Sequence, residues 1–226
     1  MAKHYSIAID GPAGAGKSTI ARRLAKELGY YYVDTGAIYR TVAYFMDLLG
    51  ISPKDVDGVE RYIDELTIVI EYDEEGKQHM LMNGMDVSDE IRTQDISQKA
   101  SLVSAHAVVR EVLLDMQRDV AKKHNVIMDG RDIGTVVLPK ADVKIFLTAA
   151  PEVRAKRRYD ELIARGQKAN LETILKEIKQ RDYQDTHREI APLKMARDSI
   201  KVDTSDMDID QVVAAIREIA AKKIAL

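Results

Sequence analysis

The 226-residue chain contains no cysteine, which excludes disulfides and thiolate zinc sites and suits a reducing cytoplasm. It also lacks any apolar run of about 18–20 residues, the length a helical membrane span requires. Its first residues, MAKHYSIAIDG, hold an apolar stretch too short for a signal-peptide core and show no small-residue cleavage site. No internal repeat or low-complexity tract interrupts the chain. Nor is there an excess of positive charge: the formal net charge is −3, the wrong sign for a protein that coats nucleic acid. What remains is a soluble, globular composition, 46% hydrophobic and 31% charged, at a length that buries a real core.

The charge is unevenly spread. Residues 54–90 hold 12 acids and 3 bases, while residues 154–201 hold 13 bases and 8 acids. The second segment is either a meeting place for phosphates or a solvated helix with both signs interspersed.

Hydrophobic periodicity organises the rest. Tyr5 to Ile9 reads as a strand ended by Asp10-Gly11-Pro12. Ile20, Leu24 and Leu28 mark a helix that Gly29 stops. Tyr30 to Val33 reads as a second strand, and Ala37 to Leu49 as a second helix stopped by Gly50. Leu66–Tyr72 and His79–Met82 flank a turn and read as a hairpin inserted into an otherwise alternating pattern, with Met80, Met82 and Met85 as packing residues. Residues 93–123 read as two helices broken near Ser104–His106. Val126–Met128, Val143–Leu147 and Ile200–Val202 are short apolar runs suited to buried parallel strands. A helical stretch covers Glu152 to about Arg188, and Ile209 to Ile219 forms a last helix. Five strands separated by helices predict an α/β, doubly wound parallel sheet whose ligands lie at the strands' carboxyl ends.

Gly11-Pro12-Ala13-Gly14-Ala15-Gly16-Lys17-Ser18 matches G-x-x-x-x-G-K-[ST] in full and sits between a strand and a helix. Glycines let the backbone wrap a phosphate with its N–H groups inward, and the helix adds the positive end of its dipole. Lys17 is placed to reach the β- and γ-phosphates of ATP; the Ser18 hydroxyl is a ligand for Mg²⁺, and Thr19 completes the ATP site. A P-loop of this kind serves small-molecule kinases, regulatory GTPases and assembly ATPases. The guanine-reading N-K-x-D sequence is absent. Val126–Met128 leads into Asp129-Gly130-Arg131-Asp132, where an arginine between two acids points to a second anion and so to a phosphorylated acceptor. The five histidines show no H-x-x-x-H spacing and no close carboxylate partner, which argues against a dedicated metal site.

Four further motifs carry a resemblance: Asp34-Thr35-Gly36-Ala37-Ile38-Tyr39-Arg40, Glu90-Ile91-Arg92-Thr93-Gln94, Asp129 to Val137, and Arg188-Glu189-Ile190-Ala191-Pro192-Leu193. In order and spacing, over almost the whole chain, they resemble the bacterial cytidylate kinases. The resemblance implies a P-loop nucleoside-monophosphate-kinase fold with a five-stranded parallel sheet flanked by helices. It also implies a small antiparallel β insertion, a helical lid, and a single domain. Within that domain the core would be residues 1–35, 120–153 and 171–226, the monophosphate-binding region 36–119, and the lid 154–170. The implied reaction is ATP- and Mg²⁺-dependent phosphorylation of CMP and dCMP. The alternatives are another small acceptor, such as UMP or a non-nucleotide metabolite, or a regulatory nucleotide-binding domain without catalysis.

By the same resemblance, Arg40, Arg131 and Arg188 hold the acceptor phosphate, a task that suits planar guanidinium forks. Ser101, Arg110 and Asp132 read cytosine; a carboxylate accepts from the N4 amino group, where uracil would present another acceptor. Asp185 binds the sugar hydroxyls, and Thr35 stands where some relatives have serine. Arg154, Arg157 and Arg158 share a helical face and resemble lid arginines that close over ATP, with Arg158 joining Lys17, Arg131 and Arg188 in catalysis. The family expectation is a cytoplasmic monomer whose partners are small nucleotides, with neither nucleic acid polymer nor membrane.

Overall fold

A computed structural model describes residues 3–224. In chain order it runs β1 (Ser6–Asp10), α1 (Lys17–Leu28), β2 (Tyr31–Asp34), α2 (Thr35–Leu48), α3 (Val56–Tyr62), β3 (Ile68–Tyr72), β4 (Gln78–Met82) and β5 (Met85–Asp86). It continues with α4 (Gln94–Val103), α5 (Ala107–Lys123), β6 (Val126–Gly130), β7 (Val143–Thr148), α6 (Pro151–Ala164), α7 (Leu171–His187), β8 (Ile200–Asp203) and α8 (Ile209–Ala221). The main sheet has five strands in the order β2-β6-β1-β7-β8, and a second sheet has the order β3-β4-β5. This is the α/β architecture that the alternation of apolar runs and helices predicts.

The chain forms two compact units. One consists of Tyr5–Gly29 and the chain from Ile127 onward; the other is Tyr30–Val126 with the N-terminal Lys3 and His4. In the first unit β1 pairs parallel with β7 and β7 with β8, so that Ile9 faces Ile145 and Ile145 faces Ile200 in register. Ile7, Ile9, Ile127, Met128, Val143, Ile145 and Leu147 are fully buried, as strands covered on both faces must be. Ile20 and Leu24 of α1 and Val212, Val213 and Ile216 of α8 are buried with them. Gly29 ends α1 in a left-handed conformation, its N–H donating to the Ala25 carbonyl. The helical stretch expected from Glu152 to Arg188 is two helices, because Gly166 turns the chain at φ 72° after α6. Ala155, Ile174 and Ile178 join α6 to α7.

In the other unit, Asp34 caps α2 by accepting from the Ala37 N–H, and Ile38, Val42, Phe45 and Met46 give α2 a buried face. The break expected near Ser104–His106 separates α4 from α5. The expected hairpin is β3 with β4, antiparallel, with Val69 opposite Leu81. It gains a third strand, the two-residue β5, which sequence periodicity could not reveal because two residues show no alternation. Met80 and Met82 are buried as packing residues, but Met85 on β5 is exposed. Among the described residues, no helix is long and apolar enough to cross a membrane.

Candidate active site

The P-loop fills the turn between β1 and α1. Gly11 has φ 151°, and a Cβ there would lie 1.9 Å from the Leu147 carbonyl oxygen, so only glycine lets the loop pass against β7. Gly14 and Gly16 also take positive φ, 74° and 87°, and curl the backbone into the first turn of α1. Lys17 is buried and its ammonium donates to the Pro12 carbonyl at 2.8 Å. Burial, reinforced by the nearby positive charge of Arg131, lowers its pKa to about 7. The Ser18 hydroxyl donates to Asp129 Oδ2 at 2.9 Å. Hydroxyl and carboxylate are hard oxygen donors, a set that fits Mg²⁺ completed by phosphate oxygens and water.

Asp129 stands near the end of β6, and the chain then enters a π-helical turn, Ile133–Val137. Asp10 at the end of β1 holds the start of that turn, accepting from the Ile133 and Gly134 N–H groups at 2.7 Å each. Burial outweighs those two bonds and pushes the Asp10 carboxyl up to about 6. A π turn of this sort is a frequent mark of functional segments. Here it fixes Arg131 and Asp132 immediately before it.

Arg131 Nε donates to Asp185 Oδ2 at 2.7 Å, and Arg188 Nη2 lies 3.5 Å from Asp132 Oδ1. Burial opposes the charge on Arg131, yet the Asp185 carboxylate raises its pKa above the ordinary value. Burial likewise acts to raise Asp185, and the charges of Arg131 and Arg181 overcome it and hold its carboxyl below the usual range. The Arg188–Leu193 segment folds back on α7: Arg188 Nε donates to the Ala191 carbonyl at 2.7 Å, and the Leu193 N–H donates to the Asp185 carbonyl at 2.7 Å. Ala191 sits at φ 48°, a left-handed conformation that costs a non-glycine residue about 1–2 kcal/mol. That strain aims a carbonyl at Arg188.

The three arginines of α6 have different fates. Arg154 is buried; it forms a two-pronged pair with Asp182, at 3.0 and 2.5 Å, and donates to the P-loop carbonyl of Ala13 at 2.9 Å. Arg157 donates to the Thr204 hydroxyl and carbonyl beyond β8. Arg158 faces outward and pairs with Glu161 one turn along the helix. Other bases of residues 154–201 pair locally in the same way, Lys156 with Asp160 and Arg165 with Glu161.

The remaining predicted residues belong to the other unit. Arg40 Nη2 donates to Asp34 Oδ2 at 2.9 Å, while its Nε is buried without a hydrogen-bond partner. A buried, unmatched guanidinium donor fits an anion's oxygen. Arg110 is buried, donates to the Ser104 carbonyl at 3.0 Å and lies over the Tyr39 ring at 5.5 Å. Ser104 in turn donates to the Ser101 carbonyl at 2.9 Å, which ties the α4–α5 junction to the pair. Thr35 is buried at the start of α2.

Asp10 and Gln78 have no role in the sequence reading, and Asp129 enters it only as an acid flanking Arg131. Asp10 and Asp129 carry a signal, an acid at the carboxyl end of an apolar strand run. Gln78 carries none, since its role depends on a partner 44 positions away. His79 corrects an expectation: it has two close carboxylates, Asp86 at 2.8 Å and Asp73 at 3.2 Å, supplied by the folding of the small sheet.

The cytidylate kinase family model matches residues 7–222. A curated relative named cytidylate kinase from Leuconostoc mesenteroides is 47% identical over 221 residues, covering 98% of both chains. Another of that name from Carboxydothermus hydrogenoformans is 49% identical over 217 residues, covering 96% of this chain and 97% of its own. A solved structure of an uncharacterised protein from Eubacterium ventriosum aligns with TM-score 0.52 at 15% identity, covering 97% of this chain and 99% of that one; it shares the fold.

Proposed function

The chain belongs to the cytidylate kinase family, and from that premise we propose that it transfers the γ-phosphoryl group of ATP directly to CMP and dCMP, giving CDP and dCDP. One observation carries the reading beyond the family match. Lys17 of the P-loop and the Arg131–Asp185 pair lie close enough for the Arg131 charge to depress the Lys17 ammonium. Two positive groups so near each other suit two phosphates that must meet. Fixed positive charge offsets the repulsion between donor and acceptor and is already in place when transfer begins.

The acceptor's phosphate oxygen is ionised at neutral pH, so an in-line displacement needs no general base. Lys17 exchanges the Pro12 carbonyl for β- and γ-phosphate oxygens, a stronger, charge-assisted bond. Gly11 to Thr19 hold the donor phosphates, and Ser18 with Asp129 would hold Mg²⁺. Bound there, the ion would neutralise phosphate charge. Arg40, Arg131 and Arg188 grip the acceptor phosphate. Ser101, Arg110 and Asp132 read the cytosine edge, and Asp185 the sugar hydroxyls. Arg154 and Arg157 brace the ATP side, and Arg158, held among the described residues by an exposed ion pair, is the α6 arginine most readily released toward the γ-phosphate. The protein acts as a cytoplasmic monomer.

A coupled ADP-release assay across CMP, dCMP, UMP, AMP and shikimate tests the proposal. CMP and dCMP should stimulate release far more than the others. ATP binding without acceptor-stimulated release, or stimulation by shikimate equal to that by CMP, would overturn it.

A further inference from the structure

The small sheet β3-β4-β5 has no part in the roles assigned so far, yet it carries a buried polar side chain with a defined task. Gln78 opens β4 and is 7% exposed. Its Oε1 accepts from the Asp34 N–H at 2.8 Å, and its Nε2 faces the Asp34 carbonyl at 3.4 Å and the Met80 thioether at 3.0 Å. The amide can sit only this way round, since the N–H needs an acceptor and the other two neighbours are acceptors themselves. Gln78 therefore grips both backbone polar groups of one residue, as a paired strand would.

That residue is a junction. Asp34 ends β2 and caps α2, its Oδ1 accepting from Ala37 and its Oδ2 from Arg40 Nη2. Its carboxylate thus has one oxygen on the helix and one on the guanidinium. Any rotation of the residue 34 backbone moves both. The grip is seconded two residues upstream, where the Tyr72 hydroxyl of β3 donates to the Tyr32 carbonyl at 2.9 Å. Tyr31, one residue further upstream, meets the Tyr72 ring edge-on at 4.9 Å.

We propose that Gln78 is a positioning residue for the acceptor phosphate: by fixing the backbone of Asp34 it fixes the carboxylate that aims the Arg40 guanidinium. The proposal rests on the reading of Arg40 as a ligand of that phosphate, and it gives the β insertion a role in acceptor binding. Glutamine suits the task because a neutral amide supplies a donor and an acceptor together. A carboxylate would supply only acceptors and would compete with Asp34 for Arg40.

The test is steady-state kinetics on Gln78→Leu and Gln78→Glu, alone and in an Arg40→Lys background. The expected result is a KM for CMP raised about tenfold in each single variant, with the KM for ATP within about twofold of wild type. In the Arg40→Lys background the Gln78 change should add less than about twofold, because the group it positions has been altered. An unchanged KM for CMP in either soluble variant, an equal rise in the KM for ATP, or a full tenfold effect in the Arg40→Lys background would overturn the proposal. Should Gln78→Leu fail to fold, Gln78→Glu decides alone, since it keeps the acceptor for the Asp34 N–H. Wild-type protein without CMP-stimulated ADP release would instead defeat the kinase reading itself.

Discussion

Lys17 is the residue whose burial has the clearest consequence in solution. With its pKa lowered to about 7, the free enzyme holds the ammonium below that pH and loses it above. A neutral amine cannot form an ion pair with phosphate, so kcat/KM for ATP should fall as pH rises through about 7. In the ternary complex the phosphates raise the pKa again, so kcat should hold to higher pH. Lys17→Arg, which cannot lose its charge, should remove the alkaline limb from kcat/KM, and a pH–rate series on both proteins checks this. Asp132 is the second residue with a sharp expectation. Asp132→Ala should cost CMP about 1–3 kcal/mol relative to UMP, the usual worth of one base contact, read as the ratio of kcat/KM values. An unchanged ratio would assign Asp132 to the support of Arg188 alone.

At the scale of elements, α6 and α7 show how a sequence pattern can be read correctly and still leave the roles undecided. Arg154, Arg157 and Arg158 do fall at one-turn spacing on a helix, as periodicity requires. Periodicity cannot say that the first is buried between Asp182 and the P-loop while the last is outside. The difference is measurable. Asp182→Ala strands a buried guanidinium and should lower unfolding free energy by about 3 kcal/mol, whereas Arg158→Ala should stay within about 0.5 kcal/mol. Urea denaturation of the two variants separates them. The small sheet makes the same point. Its β3–β4 hairpin is legible from alternation and a turn, but the bonds of Gln78 to the Asp34 backbone and of His79 to Asp73 and Asp86 are not, because each depends on strand register or long-range packing.

For the whole molecule, the acidic run 54–90 lies in one compact unit and the basic run 154–201 in the other. Ligand binding should register as stability. A non-hydrolysable ATP analogue at 100 times its Kd should add about 2.7 kcal/mol to the unit that holds the P-loop. For a protein of this size that is about 5–11 °C in its calorimetric Tm, and a shift under about 2 °C would contradict a built ATP site.

By itself the sequence determined the P-loop, the order of the strands and helices along the chain, and the membership of a kinase family. These are local patterns: fixed spacings of glycine, lysine and apolar residues that act through neighbours a few positions away. Which polar and charged groups are committed to one another is settled only by the folded backbone. Arg131 to Asp185, Arg154 to Asp182, Ser18 to Asp129 and Asp34 to Gln78 each join residues at least 28 positions apart. The physical reason is that a buried charge or amide must find its partner wherever the packed backbone brings one, and that choice has no period for a sequence to display.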